Sequence, residues 1–199
     1  KNMVRRSIKT SSYIIFPMMI GMAALADSMV TLILTKKWLP SVPFLQIYCF
    51  IYAFMPIHTS NIQAIKALGH SETILKLEII KKIIDVITLL ITIPRGIFAI
   101  AVGELITSLI STFINSYPNK KYIDYSFYEQ WMDILPPLIL SLFMGCIVYF
   151  IKFLAGVNWI MLIFQIIIGI FIYLALSRIF RIEELDYLLN TFKKIVKKN

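Results

Sequence analysis

The stretch MMIGMAALADSMVTLILT, Met18 to Thr35, is an apolar run long enough for a membrane-spanning helix, and it carries a carboxylate, Asp27, well inside it. A charge in hydrocarbon is costly and needs a partner or water. The fold therefore depends on how many such runs the chain holds and which polar residues share their faces.

The whole chain carries the same signature. Of 199 residues, 59% are hydrophobic and only 16% charged, with a mean hydropathy of +0.79. A soluble domain carries about a quarter charged residues. The net charge of +9 would suggest nucleic acid for a soluble protein. In a membrane chain it reflects cytoplasmic loops and anionic lipid instead, so no nucleic-acid partner is expected. The opening KNMVRR has no small-residue cleavage site after it, and the chain starts on Lys, so it reads as a fragment or as having lost its beginning. Cys49 and Cys146 both sit in apolar runs at a spacing that fits no metal or redox motif, and read as buried, inert thiols.

Six apolar segments follow one another: a (13–35), b (42–65, stopping near Gly69), c (74–93), d (96–117), e (134–151, with Pro136 and Pro137 in its first turn) and f (157–177). This predicts an all-α polytopic membrane protein. Segment c is the weakest span, because its first half, ILKLEIIKKIID, is charged. Its Glu78–Lys82 and Lys81–Asp85 are i,i+4 pairs, most simply a solvated helix base. Alternate loops divide the 20 Lys and Arg residues into sixteen on one side and four, Lys36, Lys37, Arg95 and Lys152, on the other. Lys and Arg are retained in the cytoplasm, so the asymmetry predicts six spans with both ends cytoplasmic. The aromatic-rich YPNKKYIDYSFYEQWMD (117–133) reads as a cytoplasmic loop at headgroup level. The tail places Ile182, Leu185, Leu189, Phe192 and Val196 at helical spacing, either on the inner leaflet or packed on other helices.

Polar residues inside the spans carry the functional signal. In segment d, Glu104, Ser108, Ser111 and Asn115 fall at i, i+4, i+7 and i+11, flanked by Thr107 and Thr112. Such a stripe faces either neighbouring helices or water within the protein. A helix interface explains the hydroxyls but not Glu104, since an intramembrane carboxylate marks a pathway or proton site. In segment a, Ala23, Asp27, Thr31 and Thr35 share a face, and Asp27 lies ~12 Å from the outer end. It either faces an internal hydrated space or leans outward toward Lys36 or Lys37. In segment b, Pro56 should kink the helix. Beyond it His58 and Asn61 share one face, and Thr59 and Gln63 another. His58 is either a structural hydrogen-bonding residue or a group that titrates near neutral pH. The chain lacks HExxH, GxSxG, a phosphate loop and any acidic cluster with metal spacing, and its outer loops are short. No enzyme, metal or cofactor is expected.

PMMIGMAALADSMVTLILTKKWLPSVPFLQIYCF and ALGHSETILKLEIIKK resemble the C-terminal part of bacterial polysaccharide flippases, the Wzx-type exporters of the MATE/MOP superfamily. The resemblance rests on Pro17 and Gly21 opening a span, on Lys37-Trp38 in a short outer turn, and on Pro43, Leu45, Gln46 and Ile47 opening the next span. It continues in the ALGHSE turn with Leu75, Lys76 and Ile80. It covers about residues 13–90; beyond them only the span pattern matches. Thr35 departs from it, since the family usually has glycine shortly before the lysine and tryptophan. Asp27 is no family hallmark.

The resemblance implies twelve to fourteen helices in two lobes around a central cavity, with eight helices before Lys1. On that basis residues 1–117 would be four helices of the C-terminal lobe, and 118–133 an interfacial loop. Residues 134–177 would be a peripheral pair, and 178–199 a basic cytoplasmic tail. The implied activity is flipping of undecaprenyl-pyrophosphate-linked oligosaccharide across the bacterial inner membrane, for O-antigen or exopolysaccharide synthesis. The implied mechanism is alternating access driven by a proton or sodium gradient or by the membrane potential. The partners would be that lipid, the surrounding membrane lipids and the missing lobe. Transport or coupling candidates are Asp27, Glu104, His58, Asn61, Ser108, Ser111 and Asn115. Arg5, Arg6, Lys66 and Arg95 are candidates for attracting pyrophosphate. The alternative is a MATE-like cation-coupled exporter of drugs or other small molecules.

Overall fold

A computed structural model describes residues 1–196, with the side chains of 152–155, 192, 195 and 196 outside the description. The elements are α1 (Asn2–Ile33), α2 (Val42–Ala53), α3 (Met55–Ala67), α4 (Ser71–Thr92), α5 (Ile97–Ile123), α6 (Phe127–Ala155), α7 (Trp159–Ile179) and α8 (Glu183–Val196). Short 3-10 turns at Lys36–Ser41 and Ile93–Arg95 join α1 to α2 and α4 to α5. The protein is an all-α polytopic membrane protein, with five helical stretches long and apolar enough to cross a bilayer among the described residues. These are Asn2–Ile33, Lys36–Ala67, Ile97–Ile123, Phe127–Ile151 and Trp159–Ile179.

Segment c stands apart. α4 has 22 residues, ~33 Å, so length does not exclude it. What sets it apart from those five stretches is charge: Glu72, Lys76, Glu78, Lys81, Lys82 and Asp85. None of its residues is buried. Its ion pairs are Glu78–Lys81 and Lys82–Asp85, each three residues apart, instead of the expected four.

α1 is the spine. It packs on α2, α3, α6 and α7. Ile8, Phe16, Ile20, Ala53, Ile57, Tyr125 and Ile134 form one core. Tyr13, Leu25, Leu140, Met144, Val148, Leu162, Tyr173 and Leu185 form another. α4 and α5 make a hairpin at the edge. A Cβ on Gly103 would lie 2.8 Å from Thr88 Cγ2 and 2.9 Å from Thr92 Cγ2, so glycine is what lets these helices approach.

The stretch expected to be an interfacial loop is mostly helix. α5 runs through Pro118 to Ile123, and α6 begins at Phe127. The reason is local. Ser126 and Glu129 form a reciprocal capping box, with Glu129 N donating to Ser126 Oγ at 3.2 Å and Ser126 N to Glu129 Oε2 at 2.9 Å. Pro136 and Pro137 accordingly lie inside α6 instead of in its first turn. The amino end of α8 is held to α1. Lys9 pairs with Glu184 at 2.9 Å, and the Arg6 guanidinium lies 3.8 Å above the Tyr187 ring. Leu185 is buried there, whereas Leu189 is 44% exposed. The expectations for the Phe192 and Val196 side chains, and for Lys197 and Lys198, fall outside the described residues.

Candidate functional site along a broken helix

Segment b is two helices. The break falls at Phe54, next to Pro56, which cannot supply a backbone donor. α3 ends in a Schellman motif, with Gly69 at φ +79, Gly69 N donating to Lys66 O at 3.1 Å and His70 N to Ile65 O at 3.2 Å.

This broken helix runs parallel to α5 in a constant register. At the Trp38 end, the Phe44 and Phe98 rings meet edge to face at 6.0 Å. Next, Tyr48 OH donates to Glu104 Oε2 at 2.7 Å. Past the break, both nitrogens of His58 lie 3.0 Å from partners on α5, Nε2 from Thr112 Oγ1 and Nδ1 from Asn115 Nδ2. Toward the Lys66 end, Asn61 Nδ2 donates to Ser116 Oγ at 3.1 Å and Asn119 Nδ2 to Asn61 Oδ1 at 2.6 Å. The two helices thus match along their whole length. α4 must return the chain between their ends, so it covers the same height.

Hydrogen-bond accounting sets the state of His58. The Thr112 hydroxyl donates to Ser108 O at 3.0 Å, so it can only accept from the ring. Asn115 Nδ2 donates to Nδ1. As the amide is placed, the ring carries its proton on Nε2. Asn115 Oδ1 and Asn119 Oδ1 are buried without a partner.

α6 closes the network. Gln130 Oε1 accepts from Asn61 Nδ2 at 2.7 Å and from Ser116 Oγ at 3.0 Å. Asn61, Ser116, Asn119 and Gln130 are all buried to within 1%. Such a network stabilises a core only when its members are mutually satisfied. One turn on, Arg5 grips Asp133 with two bonds, 2.7 and 2.6 Å, and Tyr125 OH donates to the same carboxylate at 2.8 Å. Burial first, then that hydrogen bond, holds the Tyr125 hydroxyl far above its ordinary pKa, so it remains a donor.

The candidates thus separate by depth. His58, Asn61 and Asn115 belong to one network. Glu104 does not join it: its residue is exposed, and Ser108 and Ser111 are half-buried. Glu104 lines a groove of ≈ 230 Å³ with Asp85, Thr88, Thr92 and Thr107, between α4 and α5. Asp27 is half-buried on α1, one turn from Ala23, whose carbonyl accepts from Gln46 Nε2 at 3.1 Å. Of the basic candidates, Arg5 and Arg6 line one cavity with Lys9, Glu183 and Glu184, whereas Lys66 and Arg95 are not in its lining. Arg5 is engaged by Asp133 and Arg6 by Tyr187. Arg95 donates to Ile91 O at the opposite end from the exposed Lys66. Cys49 is buried but Cys146 is exposed on the outer side of α6, where apolar character serves bilayer contact instead of packing. Ser116 and Asn119 were legible as a continuation of the Thr112 stripe. Gln130 lies in the aromatic-rich stretch that reads as a loop in the sequence but is helical here.

Known proteins point the same way. Residues 1–43 match the model of a family of polysaccharide biosynthesis proteins. A Klebsiella pneumoniae protein described as an uncharacterized membrane protein in the cps region is 29% identical over 167 residues, covering 79% of this chain and 33% of the relative. The chain therefore spans about a third of that relative's length. No solved structure matches. Together with the apolar helices, these similarities support a membrane protein of polysaccharide biosynthesis.

Proposed function

We propose that the full-length protein is a transporter, not an enzyme, that flips an undecaprenyl-pyrophosphate-linked oligosaccharide across the bacterial inner membrane by alternating access. The observation that carries this reading is Glu104. It is an exposed carboxylate seven residues into α5, on a helix long and apolar enough to span. Lipid does not accept such a group, so the face it shares with Tyr48 borders a hydrated space. A broken helix beside that space suits alternating access, because a break lets two half-helices tilt separately. The similarity to polysaccharide biosynthesis proteins supports the substrate class. Glu104 is the proposed coupling group, with Asp85 on the same groove.

The test is transbilayer movement. Full-length protein reconstituted in vesicles should expose a lipid-linked oligosaccharide, initially sequestered in the lumenal leaflet, to an added glycosidase. Deleting the gene should remove surface polysaccharide and accumulate the lipid-linked unit. Unchanged surface polysaccharide in the deletion strain, or no movement in vesicles, rules the reading out.

A further inference from the structure

The exposed side of the broken helix carries a second stripe. Tyr48, Tyr52, Met55, Thr59, Gln63 and Lys66 fall at i, i+4, i+7, i+11, i+15 and i+18, one line down one face. Tyr52 is 50% exposed and Tyr48 36%. The exposed face of α7 is very different: Ile160, Ile163, Ile167, Ile170 and Phe171 are purely apolar, as a lipid-facing surface should be. A line ending in threonine, glutamine and lysine is not a lipid face, so it borders the hydrated space that Glu104 also meets.

The upper part of this line has a specific chemistry. The Tyr48 and Tyr52 rings stack at 6.3 Å between centroids and 27° between planes. Tyr48 is fixed by its bond to Glu104 Oε2, which leaves Oε1 available to accept. A pyranose ring presents a face of C–H groups, which packs against an aromatic face, and a rim of hydroxyls, which donate to a carboxylate. An ion alone needs no flat apolar surface, and a lipid tail needs no carboxylate. Stacked rings beside a fixed carboxylate match a sugar better than either.

We propose that Tyr48 and Tyr52 form the carbohydrate platform of the transport path, stacking on sugar rings while Glu104 Oε1 accepts from their hydroxyls. The inference rests on the transporter reading and adds the surface that recognises the oligosaccharide. Tyr52 is the residue to vary, because its ring stacks on Tyr48 and its loss leaves the Tyr48–Glu104 bond in place.

The experiment uses full-length protein in lipid nanodiscs and two probes. One is undecaprenyl-pyrophosphate-linked oligosaccharide extracted from a strain lacking the protein; the other is undecaprenyl phosphate, which has no sugar. Tyr52→Ala should weaken binding of the glycosylated lipid by about tenfold and leave the sugar-free lipid unchanged. Tyr52→Phe and Tyr52→Trp should stay within about threefold of wild type for both, since each keeps a ring. Undiminished binding of the glycosylated lipid to Tyr52→Ala, or equal weakening of both lipids, overturns the platform while leaving the transporter reading intact. If wild-type protein binds neither lipid, both readings fail together.

Discussion

Tyr48 and Glu104, on two helices that start from separate turns, meet through a 2.7 Å hydrogen bond at the same height. Tyr48 lies six residues into α2 and Glu104 seven into α5, which places both ~10 Å from their helix starts. Glu104→Gln keeps the size and an acceptor for Tyr48 but removes the charge. We expect a full-length protein that accumulates normally but does not restore surface polysaccharide in a null strain. Asp27→Asn should have this effect only if Asp27 borders the same space. Full complementation by both Glu104→Gln and Glu104→Ala would make Glu104 a tolerated interface residue.

Asn61 is expected to be the most stability-sensitive residue of the network. It bonds Ser116, Gln130 and Asn119 while fully buried. Asn61→Leu strands those partners, at about 1–3 kcal/mol for each buried group left unsatisfied. The full-length variant should show a lowered thermal midpoint in detergent. An unchanged midpoint would mean that water enters and replaces the lost bonds.

The Arg5–Asp133 pair should show a paradox of removal. Asp133 is 6% exposed at its side chain and Arg5 47%, so the carboxylate bears most of the desolvation. Arg5→Ala leaves that charge with only Tyr125, and should cost about 2 kcal/mol. Adding Asp133→Asn should recover part of the loss, because the residual charge is then gone. A double variant less stable than Arg5→Ala alone would contradict this.

Thr35 sits at φ 78 and ψ 164, a backbone region that is almost reserved for glycine. Thr35→Gly should relieve more strain than it adds in unfolded-state entropy and stabilise the protein by about 1 kcal/mol. A lower thermal midpoint for this variant would show that the threonine side chain compensates for its backbone.

Topology is open to direct chemistry. In a full-length background lacking Cys49 and Cys146, Trp38→Cys should react with an impermeant reagent added outside intact cells. His70→Cys and Tyr122→Cys should both be protected. The rings of His70 and Tyr122 stack at 4.2 Å, so these two positions must report the same side. Labelling of Tyr122→Cys from outside would refute cytoplasmic termini.

The apolar runs, the charge of α4, the proline break in segment b and the polar faces of segments b and d were all legible in the sequence. Each depends on spacing along one chain, and helical periodicity converts spacing into faces. What a face meets depends on other segments. The stripe read as one unit from Glu104 to Asn115 divides in space: its upper end reaches Tyr48 and an open groove, and its lower end a sealed network.

By itself the sequence determined an all-α membrane protein, because runs of spanning length and a low charge content have few other solutions. Only the tertiary structure decided that Gln130 closes the network, that Asp133 holds Arg5, and that Tyr52 lies open beside Tyr48. Hydrogen bonds are made at distances near 3 Å between groups as many as 174 residues apart, and no local periodicity carries that information.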